Sequence, residues 1–243
     1  MLVAAAVCPH PPLLVPEAMG AAGQRGNGMS EVLAACDAAV AGLAAAEPDV
    51  IVAVGGAAAS AVYDGSAAGS LREYGVGYAV GTGEPVLPLS LTVGSWLLHR
   101  AGLGTGDGPP ARPGGRLWLQ AVARATPVPE CLRLGARIAR QAPRVALLAM
   151  GDGPARRAVG PEGAADPAAD GYDAEVAAAL ADADAARLAR LAPPLDDEFM
   201  VAGRAAWQVL AGAADGGRLR GRLRCAVVRY EVSYLVASWD ARG

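Results

Sequence analysis

The chain has 243 residues and a formal net charge of −3, a length that supports one large α/β domain or two small ones. Hydrophobic residues make up 53% of it, which excludes general disorder, and the acidic balance leaves no electrostatic footprint for nucleic acid. Aromatic residues are only 5%, so the core is expected to be built from Ala, Val and Leu with closely spaced elements. All 21 basic residues are arginine; an absence of lysine along the whole chain reads as a coding bias, because no single site explains it.

LVAAAV, Leu2 to Val7, is a short continuous apolar run that fits a buried strand. It ends in a proline-flanked corner, CPHPP, that holds His10, one of two histidines in the chain. A glycine-rich loop, Gly20 to Gly28, leads to a helix expected from Ser30, whose hydroxyl can cap a first-turn N–H, to about Glu47, where Pro48 ends it. VIVAV, Val50 to Val54, is the clearest strand, apolar on both faces and stopped by Gly55-Gly56. Gly55 to Gly115 is rich in glycine and proline, with a short helix around Ser95 to Ala101 and a turn-rich stretch GLGTGDGPPARPGG.

A helix over Glu130 to Gln141 precedes a third buried strand, VALLAM, Val145 to Met150. A further helix is expected from about Asp173 to Leu191, with Val176, Leu180, Leu188 and Leu191 on one face. Another covers Asp196 to Ala213 with a break at Gly203, and two β-rich runs, LRCAVVRY and VSYLVASW, close the chain. Strands alternating with helices, with no repeat and no interdomain linker, indicate one α/β domain over residues 1–243 with a largely parallel or mixed sheet.

The four cysteines, Cys8, Cys36, Cys131 and Cys225, form no C-x-x-C pair, so the spacing of a zinc ribbon is missing, and at this size a disulfide scaffold is not expected. The opening residues lack the basic n-region of a secretion signal, and no uncharged apolar stretch is long enough to span a bilayer. The expectation is a cytoplasmic protein with reduced thiols and with neither membrane nor nucleic acid among its partners. The basic stretch RLRGRLRC, Arg218 to Cys225, reads first as a solvated approach to a strand and only second as a phosphate contact.

In open α/β sheets ligands bind beyond the carboxyl ends of the strands, and His10 stands just past the first of them. Prolines on both sides restrict its backbone and set the direction of its ring in advance. That suits a metal ligand or a proton-transfer group, while a structural role is the competing reading. Asp152, in Gly151-Asp152-Gly153 after the third strand, has a carboxylate for a base or a cation ligand; the alternative is a turn aspartate bonded to its own backbone. Gly55-Gly56 could approach an anion, but neither G-x-G-x-x-G nor G-x-x-x-x-G-K follows. Glu231 interrupts the β-rich region Arg229 to Trp239, either facing solvent at an edge or facing inward with a partner that offsets the effect of burial on its pKa. His99, in WLLHRAG, reads as a helix-end histidine favoured by the dipole. With two histidines and no G-x-S-x-G elbow, Ser-His-Asp catalysis has little support.

MLVAAAVCPHPPLLVPE, GDGPARR, the GYDAEVAAAL helix, GRAAWQVLAGA and the closing YEVSYLVASW resemble, in order and over most of the chain, proteins related to the catalytic B subunit of class III extradiol ring-cleavage dioxygenases, the LigB-like group. The CPHPP corner and GR-x-x-W-Q-V-L are its specific parts. The resemblance implies a single α/β domain with a central mixed sheet. It also implies non-haem Fe(II) held by two histidines and a glutamate, with open positions for a catecholate and O2, and a further histidine as acid/base. On that pattern His10 matches the first metal histidine and Glu231 the carboxyl-terminal acidic ligand. The chain departs from it where the second metal histidine is expected, at Gly55-Gly56-Ala57, and where the catalytic histidine is expected, at Gly151-Asp152-Gly153. Asp152 is left as a third ligand or base.

Three expectations therefore stand side by side. The first is Fe(II)-dependent opening of a catechol-like ring at a degenerate site of His10, Glu231 and Asp152. The second is a non-catalytic relative that binds a small, aromatic-type molecule or scaffolds, with the same fold and no metal. The third is metal-free chemistry in the same cleft. Assembly into homo-oligomers stays open in all three.

Overall fold

A computed structural model describes residues 1–19, 29–104, 116–155, 158–159, 164–165, 167–191 and 200–241. From the amino terminus, β1 (Leu2–Cys8) enters the proline corner, which forms two 3-10 turns (Pro12–Leu14 and Pro16–Met19). α1 (Met29–Ala45), β2 (Val50–Ala57), β3 (Ala61–Asp64), β4 (Ala67–Ser70), β5 (Ala79–Val80), β6 (Thr82–Pro85) and α2 (Leu89–Arg100) follow. The second half holds β7 (Arg116–Ala123), α3 (Val128–Ile138), β8 (Val145–Met150), β9 (Ala158–Val159), β10 (Ala164–Ala165), α4 (Pro167–Asp182), α5 (Ala185–Ala189), α6 (Arg204–Ala214), β11 (Leu219–Arg229) and β12 (Val232–Ala241).

One seven-stranded sheet runs in the order β11-β12-β1-β8-β2-β7-β3. Its centre, β1, β8, β2 and β7, is parallel. β12 lies antiparallel on β1, β11 on β12, and β3 on β7. Helices cover both faces, so β1, β8 and β2 carry no polar side chain. Val52, Val54, Leu147, Ala149, Ala237 and Trp239 pack with α3–α6 on one face. Ala6, Cys8, Leu148, Met150, Tyr234 and Val236 pack with α1 and α2 on the other. The chain is thus a single α/β domain with a large mixed sheet flanked by helices. Among the described residues no helix is long and apolar enough to cross a membrane.

Small residues set the layer spacing. A Cβ on Gly135 of α3 would overlap the Val209 carbonyl and stand 2.6 Å from the Ala213 nitrogen. One on Gly212 of α6 would stand 2.6 Å from Leu132 Cα. The two helices therefore touch backbone to backbone, as the alanine-rich composition requires.

Several elements depart from the sequence reading. β2 continues through Gly55-Gly56 to Ala57, because both glycines pair with β7. β7 was not anticipated: its polar Arg116 and Gln120 and the glycines before it hide a parallel strand. α2 begins at Leu89, and α1 begins at Met29, which puts Ser30 inside the first turn. The helix expected over 173–191 is two. Ala183 takes φ 52°, and the Asp184 N–H closes back on the Ala179 carbonyl at 2.9 Å, the hydrogen bond of a Schellman end. Asp184 then caps α5 by accepting from the Arg187 N–H at 2.8 Å. The loop over 20–28, most of the turn-rich stretch before β7 and the start of the 196–213 helix lie outside the described residues. The arginines of 218–225 are mostly within β11, the sheet's outer strand, and not on an approach to it.

Gly135→Ala or Gly212→Ala is expected to destabilise the fold by about 1–3 kcal/mol through overpacking, read as a lowered urea midpoint.

Candidate functional site

His10 stands where β1 leaves the sheet. β1 ends at Cys8, and Pro11, extended at φ −66°, ψ 142°, turns the chain into the 3-10 turn at Pro12. The ring is buried, 7% exposed for the residue as a whole. The backbone N–H of His10 donates to Asp152 Oδ1 at 2.8 Å, while its Nε2 stands 3.7 Å from Asp152 Oδ2. The first contact is a charge-assisted hydrogen bond. The second is too long for one and becomes an ion pair only when the imidazole is protonated. Nδ1 is buried without a hydrogen-bond partner among the described residues.

Strand register explains the meeting. β1 and β8 pair from Ala5↔Leu147 to Cys8↔Met150, and continuing that register by two residues sets His10 beside Asp152. Because β1 has turned away, the GDG loop leans across its end. Gly151 N–H donates to the Cys8 carbonyl at 2.9 Å, Gly153 N–H to the Ser233 carbonyl at 2.9 Å, and Ser233 N–H to the Pro154 carbonyl at 3.0 Å. Both glycines are needed for contact. A Cβ on Gly151 would stand 3.0 Å from Trp207 Nε1, and one on Gly153 would stand 2.7 Å from Ser233 Cβ. Asp152 is thus a strand-end carboxylate turned to the corner, and the contact to its own backbone expected of a turn aspartate gives way to one with His10.

Glu231 does not join them. It sits in the two-residue turn between β11 and β12, exposed, with Tyr230 at φ 52° and itself at φ 62°. Turns with two positive φ angles usually take Asn-Gly, so Tyr-Glu here carries a backbone cost. Glu231 precedes Tyr234 by three residues, which carries it roughly 10 Å farther out along the strand. Among the described residues no three His, Cys, Asp or Glu side chains come together as one metal ion would require. The expectation that His10, Glu231 and Asp152 form one metal centre is corrected on that geometry.

The missing histidine positions are also filled. A Cβ on Gly55 would overlap Ser90 Oγ and stand 2.7 Å from Ser90 Cβ. One on Gly56 would stand 2.9 Å from the Ala202 carbonyl. Ser90 donates to the Gly56 carbonyl at 2.8 Å. Neither glycine leaves a cradle for an imidazole. Below the corner, burial first and a hydrogen bond with Cys8 second hold the Cys36 thiol well above its ordinary pKa, so it stays a protonated core group and not a thiolate ligand. The donor set that remains, one imidazole and one carboxylate, does not fit the Fe(II) site that the resemblance implies.

Three groups escaped the sequence reading. Tyr234, on β12, lies near enough to feel Asp152: its pKa is pushed up to about 12, by burial first and then by the Asp152 charge. Arg204 and Gln208 form a buried network. The guanidinium donates to the Thr126 carbonyl at 3.0 Å, to Gln208 Oε1 at 2.9 Å and to the Arg124 carbonyl, and Gln208 donates to the Leu191 carbonyl at 3.0 Å. This tie holds the end of β7 beside Gly56. The signal was the GR-x-x-W-Q stretch, where i, i+4 spacing puts Arg204 and Gln208 on one helix face. His99 is exposed in the last turn of α2, away from the corner's elements.

No protein-family model matches the chain, and neither does any curated protein. Among solved structures it is similar to the crystal structure of uncharacterized protein JW3007 from Escherichia coli K12, at 14% identity and a TM-score of 0.54, covering 98% of this chain and 100% of that one. At that identity the likeness concerns the fold alone.

Gly55→Ala is expected to cost about 1–3 kcal/mol of stability, with part of it recovered by Ser90→Gly in the same chain. Asp152→Ala should cost about 1–3 kcal/mol by leaving the buried His10 N–H without its acceptor. Denaturant midpoints of the single and double variants check both.

Proposed function

We propose that this chain is a divergent relative of the LigB-like extradiol dioxygenases that binds a small hydroxylated, aromatic-type molecule at the His10–Asp152 corner without iron. The observation that carries the reading is a buried imidazole at a strand end, held by a proline-bracketed backbone and an aspartate, with Nδ1 lacking a partner among the described residues. A buried polar atom left bare costs free energy unless a ligand or water meets it.

Ring opening is the weaker reading. It needs a firm metal and a proton shuttle. The positions matching the second metal histidine and the catalytic histidine are close-packed glycines and an aspartate, and Glu231 lies on a hairpin tip. The remaining groups do only binding work: Asp152 orients the corner, and His10 offers a hydrogen-bonding nitrogen.

Two measurements test this. Anaerobic loading with Fe(II) followed by desalting should leave far less than stoichiometric iron, and catechol should bind the metal-free protein in calorimetry and lose that binding in His10→Ala. Stoichiometric iron that disappears in His10→Ala, together with oxygen uptake on adding catechol, would overturn the metal-free reading.

A further inference from the structure

The corner has a third wall. β12 pairs with β1 from Ala4↔Asp240 to Val7↔Ala237, and beyond the end of β1 it meets the Asp152 loop instead, Ser233 N–H donating to the Pro154 carbonyl at 3.0 Å. Asp152 in that loop accepts from the His10 backbone N–H at 2.8 Å. Along β12, Tyr234 and Val236 point to the face covered by α1 and α2, the face that Cys8 and Met150 share at the ends of β1 and β8. Tyr234 is 2% exposed, so its ring lies inside the protein. The backbone pair between Gly153 and Ser233, at 2.9 Å, locks the aspartate's loop to the residue that precedes Tyr234.

We propose that Tyr234 is a ligand-binding residue of this corner, a phenol O–H donor that meets the ligand oxygen from the β12 side while His10 and Asp152 meet it from the β1 and β8 side. The proposal rests on the small-molecule reading of the site and deepens it. Burial and the Asp152 charge both keep the phenol protonated at neutral pH, which makes it a dependable donor. Asp152 contributes acceptor oxygens, and His10 contributes Nδ1, buried and without a partner among the described residues. A site with one fixed donor beside acceptors selects a ligand whose oxygen both accepts and donates, which is a hydroxyl and not a carboxylate or an ether. A carboxylate would also face the Asp152 charge.

The test compares catechol with its methyl isostere o-xylene, by calorimetry on the full chain, in wild type and Tyr234→Phe. The variant should bind catechol roughly three- to tenfold more weakly, the worth of one hydrogen bond, and o-xylene with unchanged affinity. Equal weakening of both probes, or of neither, would overturn the role, since a packing defect does not distinguish a hydroxyl from a methyl. If wild type binds no catechol, the small-molecule reading fails by itself and the ring resonances of His10 and His99, the chain's two histidines, decide the placement of Tyr234. A shift of the His10 signals alone in Tyr234→Phe keeps the phenol in the corner, and unmoved His10 signals remove it.

Discussion

The bond from the His10 N–H to the Asp152 carboxylate, 2.8 Å long, holds the strand ends at this corner of the molecule together. A strand that leaves a sheet strands its last backbone groups, and a buried N–H without an acceptor is expensive. Here the prolines around His10 force β1 out of the sheet, and the aspartate at the end of β8 supplies the acceptor that a neighbouring strand would otherwise provide. The GDG loop then crosses the vacated position and pairs with β12 through Ser233. The three strand ends become one wall, and the imidazole's direction follows from a backbone tied at both sides.

The same closure brings close packing to the neighbouring strand ends. Metal sites need several donors at bond length around a space the size of an ion. On this sheet that space has been given to packing. Ser90 occupies the side of Gly55, the Ala202 carbonyl approaches Gly56, and Trp207 and Ser233 press on Gly151 and Gly153. These glycines accept backbone and side-chain neighbours at distances that no Cβ tolerates. The buried Arg204–Gln208 tie supports the arrangement from behind by holding the loop after β7. The Cys36 thiol beneath remains a core group because burial disfavours its charged form.

Much of this was legible in the chain. β1, β2 and β8 are uninterrupted apolar runs, the signature of strands covered on both faces, and a polar residue stands just beyond β1 and β8. Reading β7 failed because alternating Trp118 and Gln120 between buried leucines looks like a half-exposed segment, and only its pairing with β2 makes it a central parallel strand. The break between α4 and α5 was hidden because Ala183 is a good helix former locally. It adopts φ 52° where the chain meets the Gly221 backbone of β11. Glu231 misled because a carboxylate inside a β-rich run suggests an inward ligand, whereas Tyr230 and Glu231 make the turn itself in a backbone conformation that their residue types do not advertise.

By itself the sequence determined the fold class, the central strands and the pre-set backbone of His10, since these depend on burial periodicity and on proline's fixed geometry, both local properties of the chain. Only the tertiary structure decided which polar groups stand together. Asp152 meets His10 because β1 and β8 pair side by side, and register is set by the pairing of whole strands far apart in sequence. The same pairing carries Glu231 out to a hairpin tip and leaves Gly55 and Gly56 without room, because close packing assigns each volume to one occupant.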